Sequence, residues 1–226
     1  MDQLIFVDKP AGMSSFGAVA RVRRILSEKA GKKVKVGHTG TLDPFATGLL
    51  ILLAGKATKR APEFLKLDKV YEATIYLGKS STTGDPEGEI TSTAPNAEAG
   101  SDSALVSNIS KQHILDTLQS FTGKITQTPP IFSAIKINGE RAYRLARKGE
   151  KVAIPTREVE VYSIELLDFS LPLIKIRTHV GSGTYIRSLA VDIGKALGCG
   201  AYLTALRRTK IADYDLADLP LFPLPE

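Results

Sequence analysis

The chain has 226 residues, 43% of them hydrophobic and 24% charged, which is typical of a globular protein with a sizeable core. Its 30 basic residues exceed its 24 acidic residues and give a formal net charge of +6, which favours polyanionic partners without identifying one. The one cysteine, Cys199, excludes an internal disulfide and a cysteine cluster for a metal, and we expect it to be buried. We recognise no secretory signal, and the longest apolar run, 49–54, is too short to cross a membrane. We therefore expect a cytoplasmic protein.

The first part of the chain predicts a strand, a turn and a helix. Residues 4–7 are apolar and predict a short strand, and residues 8–13 predict a turn. Ser14 or Ser15 is placed to cap the following helix. Its apolar residues recur at helical spacing and are Phe16, Val19, Val22, Ile25 and Leu26. Lys32, Lys33 and Lys35 come next; such a run is usually a solvated surface, but beside a functional site it could hold phosphates.

Residues 37–48 have the most unusual composition in the chain, with three glycines, three threonines, one histidine, one carboxylate and one proline. Because this composition suits neither a helix nor a strand, we predict a shaped loop over 37–48. The apolar run 49–54 that follows predicts a buried strand. Asp43 would then be a single carboxylate on an ordered loop anchored to the core, a frequent position for a catalytic acid or nucleophile. A turn alone would explain an isolated Asp-Pro pair, but it does not explain the surrounding residues.

The middle of the chain alternates between regular and irregular segments. Lys56, Lys59 and Arg60 lie at the predicted start of a helix, where backbone donors favour anions. An alternating strand over 69–78 places one apolar set on a single face, namely Tyr71, Ala73, Ile75 and Leu77. The polar segment 78–88 predicts turns, and we assign no catalytic residue to it. Residues 93–108 are of low complexity and predict a mobile loop. Ser110 is expected to cap the next helix.

The last part of the chain contains a basic segment and two strands. Asn138-Gly139 predicts a tight turn. A basic helix is expected after it, with Arg141, Arg144 and Lys148 on one face. The pattern fits an RNA-binding helix and a solvent-exposed surface helix equally well. Residues 159–169 and 173–180 predict two paired strands, and a helix is expected through residues 189–197.

Several motifs resemble those of the bacterial tRNA pseudouridine synthase B (TruB) family. Residues 37–44 with 46–48 resemble its catalytic motif, and 183–187, Gly-Thr-Tyr-Ile-Arg, resemble its second strong motif. Further likenesses lie at 9–15 (Lys-Pro-x-Gly-x-Ser), 127–136 (Gln-x-Pro-Pro-x-Tyr-Ser-Ala-x-Lys, with Phe132 for the tyrosine) and 206–208 (Leu-Arg-Arg). Ser81 and Thr82 depart from the family's Thr-Asp-Thr-x-Asp, and Ser182 replaces a frequent lysine. The resemblance covers nearly the whole chain.

This resemblance implies an α/β (α+β) protein with the pseudouridine synthase fold. Such a fold is a mixed, largely antiparallel sheet flanked by helices, with a central active-site cleft. We expect a single catalytic domain over 1–226, with the mobile loop at 93–108 and an RNA-gripping thumb at about 125–150. The family's additional C-terminal RNA-binding domain, of the PUA type, is expected to be absent.

The implied activity is the conversion of uridine to pseudouridine at position 55 in the T-arm of tRNA, after the base has been flipped out of its stack. The resemblance implies Asp43, Tyr71 and Arg187 as catalytic residues, with Asp43 acting as nucleophile or base and Arg187 paired with it. It implies five substrate-binding residues, His38, Lys59, Tyr71, Tyr185 and Leu206. We expect Arg141, Arg144 and Lys148 to contact the RNA backbone. We expect a monomer that needs no cofactor and no metal.

Three alternatives differ from this interpretation. One is a synthase of the same fold within a guide-RNA particle, against which the expected lack of a C-terminal domain argues. Another is a non-catalytic RNA-binding or tRNA-folding protein, which would not need Asp43. A third is a glycosidase-like hydrolase, which would need a second carboxylate in a comparable position.

Overall fold

The computed structural model describes residues 2–93, 106–133, 135–137, 139–142, 145 and 153–224. Four α-helices have their bounds within these residues: α1 (Ser15–Ala30), α2 (Ala61–Leu65), α3 (Lys111–Ser120) and α4 (Ile186–Ala196), and a 3₁₀ helix covers Gly55–Arg60. The strands are β1 (Gln3–Lys9), β2 (Val36–His38), β3 (Thr47–Ala54), β4 (Lys69–Leu77), β5 (Lys79–Ser81), β6 (Ile90–Ser92), β7 (Gly123–Gln127), β8 (Lys136–Ile137), β9 (Glu140–Arg141), β10 (Arg157–Ser170), β11 (Leu173–Val180), β12 (Ala201–Ile211) and β13 (Tyr214–Asp215).

The chain divides into two compact units. The first unit consists of Met1–Glu72 and Leu206–Glu226, and the second consists of Ala73–Ala205. The chain passes from one unit to the other within β4 and returns within β12. No helix in the described part of the chain is long and apolar enough to span a membrane.

The sheet of the first unit is built around β3, whose residues from Gly48 to Ala54 are all buried. β1 and β2 pair with β3 in antiparallel orientation, and the end of β12 pairs with it in parallel through Arg207↔Thr47. The sheet is therefore mixed, as predicted. The cluster on which these strands pack consists of Leu49, Ile51, Leu53, Ala57, Phe64, Ile211 and Leu216.

The prediction of a loop over the whole of 37–48 is wrong at both ends. Gly37 and His38 complete β2, and Thr47 and Gly48 begin β3, so the loop covers only residues 39–46. The pairing of β2 with β3, including His38↔Leu52, gives these residues hydrogen-bond partners in an extended conformation. Strand formation here depends on the neighbouring buried strand and overrides local composition.

Helix α1 begins where the sequence predicts. The Ser14 side chain accepts a hydrogen bond from the Gly17 backbone N at 3.0 Å and caps the helix, and Gly31 ends it in the left-handed conformation. The residues that α1 buries are Ser15, Ala18, Val19, Val22 and Leu26. Phe16 was predicted on this apolar face but is 65% exposed, because it lies to one side of the buried stripe.

In the second unit the strand order is β12–β4–β11–β10–β7. β10 pairs with β11 and β7 in antiparallel orientation, which confirms the predicted pair of long strands. Helix α3 is capped by Ser110, whose side chain accepts a hydrogen bond from the His113 backbone N at 3.1 Å, as predicted. Helix α4 confirms the predicted helix after the Gly-Thr-Tyr-Ile-Arg motif.

A short hairpin occupies part of the predicted thumb. The register Ile137↔Glu140 pairs β8 with β9 on either side of the predicted tight turn, in which Gly139 is the described residue. Arg141 lies in β9 and pairs with Lys136, so its assignment to a helix is wrong; the hairpin continues for one more residue after the turn. Arg144 and Lys148 lie outside the described residues, as does most of the predicted mobile loop.

Candidate active site

The loop that carries Asp43 is held from the side of α1. The buried Ser15 hydroxyl accepts a hydrogen bond from the Leu42 backbone N at 2.7 Å and donates one to the Leu42 carbonyl at 2.9 Å. The ammonium of Lys9, also buried, donates to the Pro44 carbonyl at 3.2 Å and to two carbonyls of the preceding turn. The residues on both sides of Asp43 are therefore fixed by buried side chains.

The same loop is held from the side of β12 by Arg208, which is buried as well. Its Nε donates to the Leu49 carbonyl at 2.8 Å, and its Nη2 donates to the Gly40 carbonyl at 3.2 Å. Gly48 lies directly against the Arg208 backbone, since a Cβ built on it would lie 2.2 Å from the Arg208 carbonyl oxygen. Two buried cations, Lys9 and Arg208, thus bind the backbone around the loop, and a charge-assisted hydrogen bond is stronger than a neutral one.

The first unit also contains four other residues predicted for the site. His38 ends β2 and is half-buried, and Lys59 is exposed in the 3₁₀ helix. Tyr71 and Leu206 are buried in β4 and β12. The Leu206 carbonyl accepts a hydrogen bond of 3.5 Å from the hydroxyl of Thr47, the residue that begins β3 after the loop.

In the second unit, Arg187 lies in the first turn of α4 and forms a buried ion pair. Its Nη1 is 3.2 Å from Oδ2 of Asp85, and the two side chains are only 4% and 2% exposed. Nη1 also donates to the Thr83 carbonyl at 3.1 Å, and Nη2 donates to the Phe132 carbonyl at 2.9 Å. The guanidinium is therefore held in one orientation by two separate segments of the unit, residues 83–85 and Phe132.

Asp85 is the functional candidate that the sequence interpretation missed. Its Oδ1 accepts hydrogen bonds from the Thr83 hydroxyl at 2.5 Å and from the Glu87 backbone N at 3.0 Å, so the carboxylate is itself fixed. Segment 78–88 is predicted to hold no catalytic residue because Ser81 and Thr82 differ from the first two positions of the family's Thr-Asp-Thr-x-Asp motif. Asp85 nevertheless occupies the last position of that motif. Asp43 belongs to the first unit, and its pairing with Arg187 stays a prediction.

Tyr185 directly precedes α4 and is held by Gln127. The buried Gln127 amide accepts from the Tyr185 backbone N at 2.8 Å and donates to its carbonyl at 3.0 Å. The guanidinium of Arg157 lies 4.9 Å from the Tyr185 ring centroid, a cation–π contact, and donates to the Gly183 carbonyl. The glutamine of the Gln-x-Pro-Pro motif thus fixes the backbone of the tyrosine of the second motif, a contact that the sequence does not predict.

A cavity of about 250 Å³ in the second unit lies beside the buried ion pair of Arg187 and Asp85. It is lined by Ser81, Thr82, Thr83, Gly84, Thr128, Pro130, Ile131, Arg187, Ser188, Val191 and Asp192. The Ser188 hydroxyl donates to the Thr128 carbonyl at 2.7 Å and closes one wall. Burial raises the pKa of the Asp192 carboxyl, and the positive charge of Lys195 opposes this shift.

One further buried cation lies in the first unit. Lys69 donates to the carbonyls of Leu65 and Leu67. Burial, with a smaller contribution from the positive charge of Arg208, lowers the pKa of Lys69 to about 8. Among the described residues, no group of three or more His, Cys, Asp or Glu side chains is arranged to hold a metal ion.

Comparison with known proteins identifies the family. Residues 23–186 match the family model described as TruB family pseudouridylate synthase (N terminal domain), and residues 187–221 match the tRNA pseudouridylate synthase B C-terminal domain. The tRNA pseudouridine synthase B of Phocaeicola vulgatus is 46% identical over 96% of this chain and 88% of its own length. That of Dechloromonas aromatica is 45% identical over 96% of this chain and 68% of its own length.

Two solved structures have the same fold. A chain of a Cbf5-Nop10-Gar1 complex superposes with a TM-score of 0.68 at 31% identity, over 94% of this chain and 49% of the solved one. A chain of an H/ACA RNP bound to a substrate RNA containing 2'-deoxyuridine gives a TM-score of 0.64 at 28% identity, over 94% and 48%. The present chain thus spans about half the length of these two. The predicted family and the predicted pseudouridine synthase fold are confirmed, and this chain belongs to the TruB family of pseudouridylate synthases.

Proposed function

We propose that this pseudouridine synthase acts on tRNA and isomerises the uridine at position 55 of the T-arm, as a cytoplasmic monomer. The observation that carries the proposal is the Asp43 loop, whose backbone is held by Ser15, Lys9 and Arg208 so that one carboxylate is presented on a rigid support. The curated relatives named tRNA pseudouridine synthase B, at 45–46% identity, support tRNA as the substrate. The chains from the Cbf5-Nop10-Gar1 complex and from the H/ACA RNP are less similar, at 28–31% identity.

The reaction conserves all atoms of the nucleotide. The bond between N1 of uracil and C1′ of ribose breaks, the base turns, and a bond forms between C5 and C1′. One proton leaves C5 and one is added at N1, so no oxidant or reductant takes part. Asp43 either attacks the ribose or the base as a nucleophile and is released again before the product leaves, or removes a proton as a base. Each role needs an ionised carboxylate held close to the nucleoside. Since a stacked base cannot reach it, the uridine must first flip out of the helix.

The other predicted residues have supporting roles in this proposal. The Tyr71 ring stacks on the flipped uracil, Arg187 keeps the reacting carboxylate ionised, and Tyr185 and Leu206 form walls of the base pocket. His38 and Lys59 contact the surrounding RNA. The phosphates are held by the basic residues of the thumb, namely Arg141, Arg144 and Lys148. The ion pair of Asp85 with Arg187 and the cation–π contact of Arg157 with the Tyr185 ring support the expectation that both side chains are held in place.

The test is incubation with an unmodified tRNA transcript, followed by carbodiimide labelling and primer extension to locate pseudouridine. We expect modification at position 55 and none in a matched transcript with cytidine there. An isolated T-arm hairpin should also be modified if the T-arm carries the recognition. Free uracil as the product would support a hydrolase. Binding without product would support an RNA-binding protein, and modification only with an added guide RNA would support the particle enzyme.

A further inference from the structure

The net positive charge of this protein is concentrated in one short segment. Residues 21–35 contain seven basic residues and one acidic residue, Glu28, which gives this segment a net charge of +6. The whole chain has 30 basic and 24 acidic residues, so the remaining 23 basic residues are balanced by 23 acidic ones. Residues 21–35, which we call the basic segment, therefore carry a positive charge equal to that of the entire protein.

Five of the seven cations of the basic segment are exposed to solvent. The segment covers the second half of α1, the turn at Gly31 and the approach to β2. Its exposed cations are Arg24, Lys29, Lys32, Lys33 and Lys35. None of these five forms an ion pair with a carboxylate within the described residues. A positive charge at the end of a helix also stabilises the helix dipole, but only Lys29 lies in the last turn of α1.

This positive surface continues toward the loop of Asp43 within the first unit. The Gly55 backbone N donates to the Lys35 carbonyl at 2.8 Å and brings the start of the 3₁₀ helix beside the basic segment. Lys56 and Lys59 are exposed on this 3₁₀ helix. In the other direction the chain runs from Lys35 directly into β2, and residue 39 begins the Asp43 loop.

An exposed aromatic side chain on α1 accompanies these cations. Phe16 is 65% exposed, the highest value among the exposed large hydrophobic side chains of the described residues. The Arg23 guanidinium lies 5.9 Å from its ring centroid. A helix face that only meets solvent does not require an exposed phenylalanine, whereas aromatic rings beside cations are typical of surfaces that bind RNA.

We propose that the basic segment, extended by Lys56, is a phosphate-binding surface for the substrate RNA. The inference rests on the proposed function, since it takes the RNA substrate as the partner. Cations that neutralise phosphates release condensed counterions, so this surface contributes to RNA affinity and to its salt dependence. Phosphate contacts position the RNA and do not take part in the reaction. Replacing the cations of this surface should therefore leave the rate of the chemical step unchanged.

The test compares two triple variants with the same loss of charge. The first is Lys32→Gln, Lys33→Gln and Lys35→Gln. The control is Lys66→Gln, Lys111→Gln and Lys195→Gln, three exposed lysines outside the segment. The Kd for a tRNA transcript is measured at several salt concentrations, and the single-turnover rate is measured at saturating RNA. We expect the first variant to bind about tenfold or more weakly near 0.1 M salt, with a log–log salt slope reduced by roughly 2 to 3, at 0.7–0.9 per lost contact. Its saturating rate should equal that of the wild type.

Two results would overturn the inference. One is a Kd and a salt slope equal to those of the control variant. The other is loss of binding to phosphatidylserine vesicles with an unchanged Kd for RNA, which would assign the segment to a membrane surface. The binding measurement needs no catalysis, so it decides this inference even if the wild type forms no pseudouridine. Failure of the wild type to form pseudouridine would contradict only the proposed function.

Discussion

The close approach of Gly48 to Arg208 predicts that Gly48→Ala strongly destabilises the protein. Gly48 has a φ of +104°, and an added Cβ would lie within 3.0 Å of three backbone atoms of Arg208. The backbone conformation costs an alanine about 1–3 kcal/mol, and the overlap with an immobile backbone costs about 1–3 kcal/mol more. We therefore expect a loss of about 2–6 kcal/mol in the free energy of unfolding, measured by urea denaturation, together with loss of activity.

Gly31→Ala is the matched control for this experiment. Gly31 also has a positive φ, +63°, but an added Cβ would meet nothing within 4 Å. Its substitution should cost only about 1–2 kcal/mol, the backbone penalty alone. Equal losses for Gly48→Ala and Gly31→Ala would refute the conclusion that β3 and β12 are packed too closely at Gly48 for any side chain.

The buried pair of Asp85 and Arg187 predicts that Asp85→Asn lowers the free energy of unfolding by about 3–5 kcal/mol, because a buried guanidinium loses its counter-charge. Glu165→Gln breaks an ion pair of similar length with Arg177 that is largely exposed, and should cost under about 1 kcal/mol in the same assay; equal costs would contradict the role of burial. The lowered pKa of Lys69, about 8 against 10.5, means that between these values the unfolded chain binds the proton more tightly, so stability rises with pH. Urea denaturation from pH 7 to 10 should show this rise in the wild type and not in Lys69→Met, and parallel curves would contradict it.

Local patterns in the sequence are sufficient to predict the elements whose stabilising contacts are made by nearby residues. The alternation in 69–78 predicts one face of β4, and its members Tyr71, Ala73, Ile75 and Leu77 are all buried. The adjoining helical periodicity predicts Ser14 or Ser15 as one helix cap and Ser110 as another, and Ser14 and Ser110 form these caps. In these cases each residue and its main partners are only a few positions apart, or the period of the element places them on one face.

The contacts that hold the candidate site could not be predicted in this way. Lys9 and Arg208 donate to backbone carbonyls distant in sequence, such as Pro44 and Leu49, and a carbonyl has no signature in the amino-acid sequence. The roles of these two residues therefore become apparent only in the folded chain. A family likeness marked their positions but did not indicate that they bind the loop of Asp43.

Asp85 was missed for a related reason. It contacts Arg187 across about a hundred residues, and its motif departs from the family pattern at the two positions that precede Thr83. Thr83 and Asp85, the residues of the motif that match the family pattern, both contact the guanidinium. The contact follows from the folding of the second unit and not from any local pattern.

The most direct test of the account is the pseudouridine yield of Asp43→Asn on an unmodified tRNA transcript, measured by nucleoside analysis beside wild type. The account predicts no detectable product, a Kd for tRNA within about threefold of wild type, and a free energy of unfolding within about 1 kcal/mol, since the substitution preserves shape. The control Asp213→Asn, at an exposed carboxylate, should retain full activity. Substantial turnover by Asp43→Asn would contradict the claim that the carboxylate of Asp43 is the essential group.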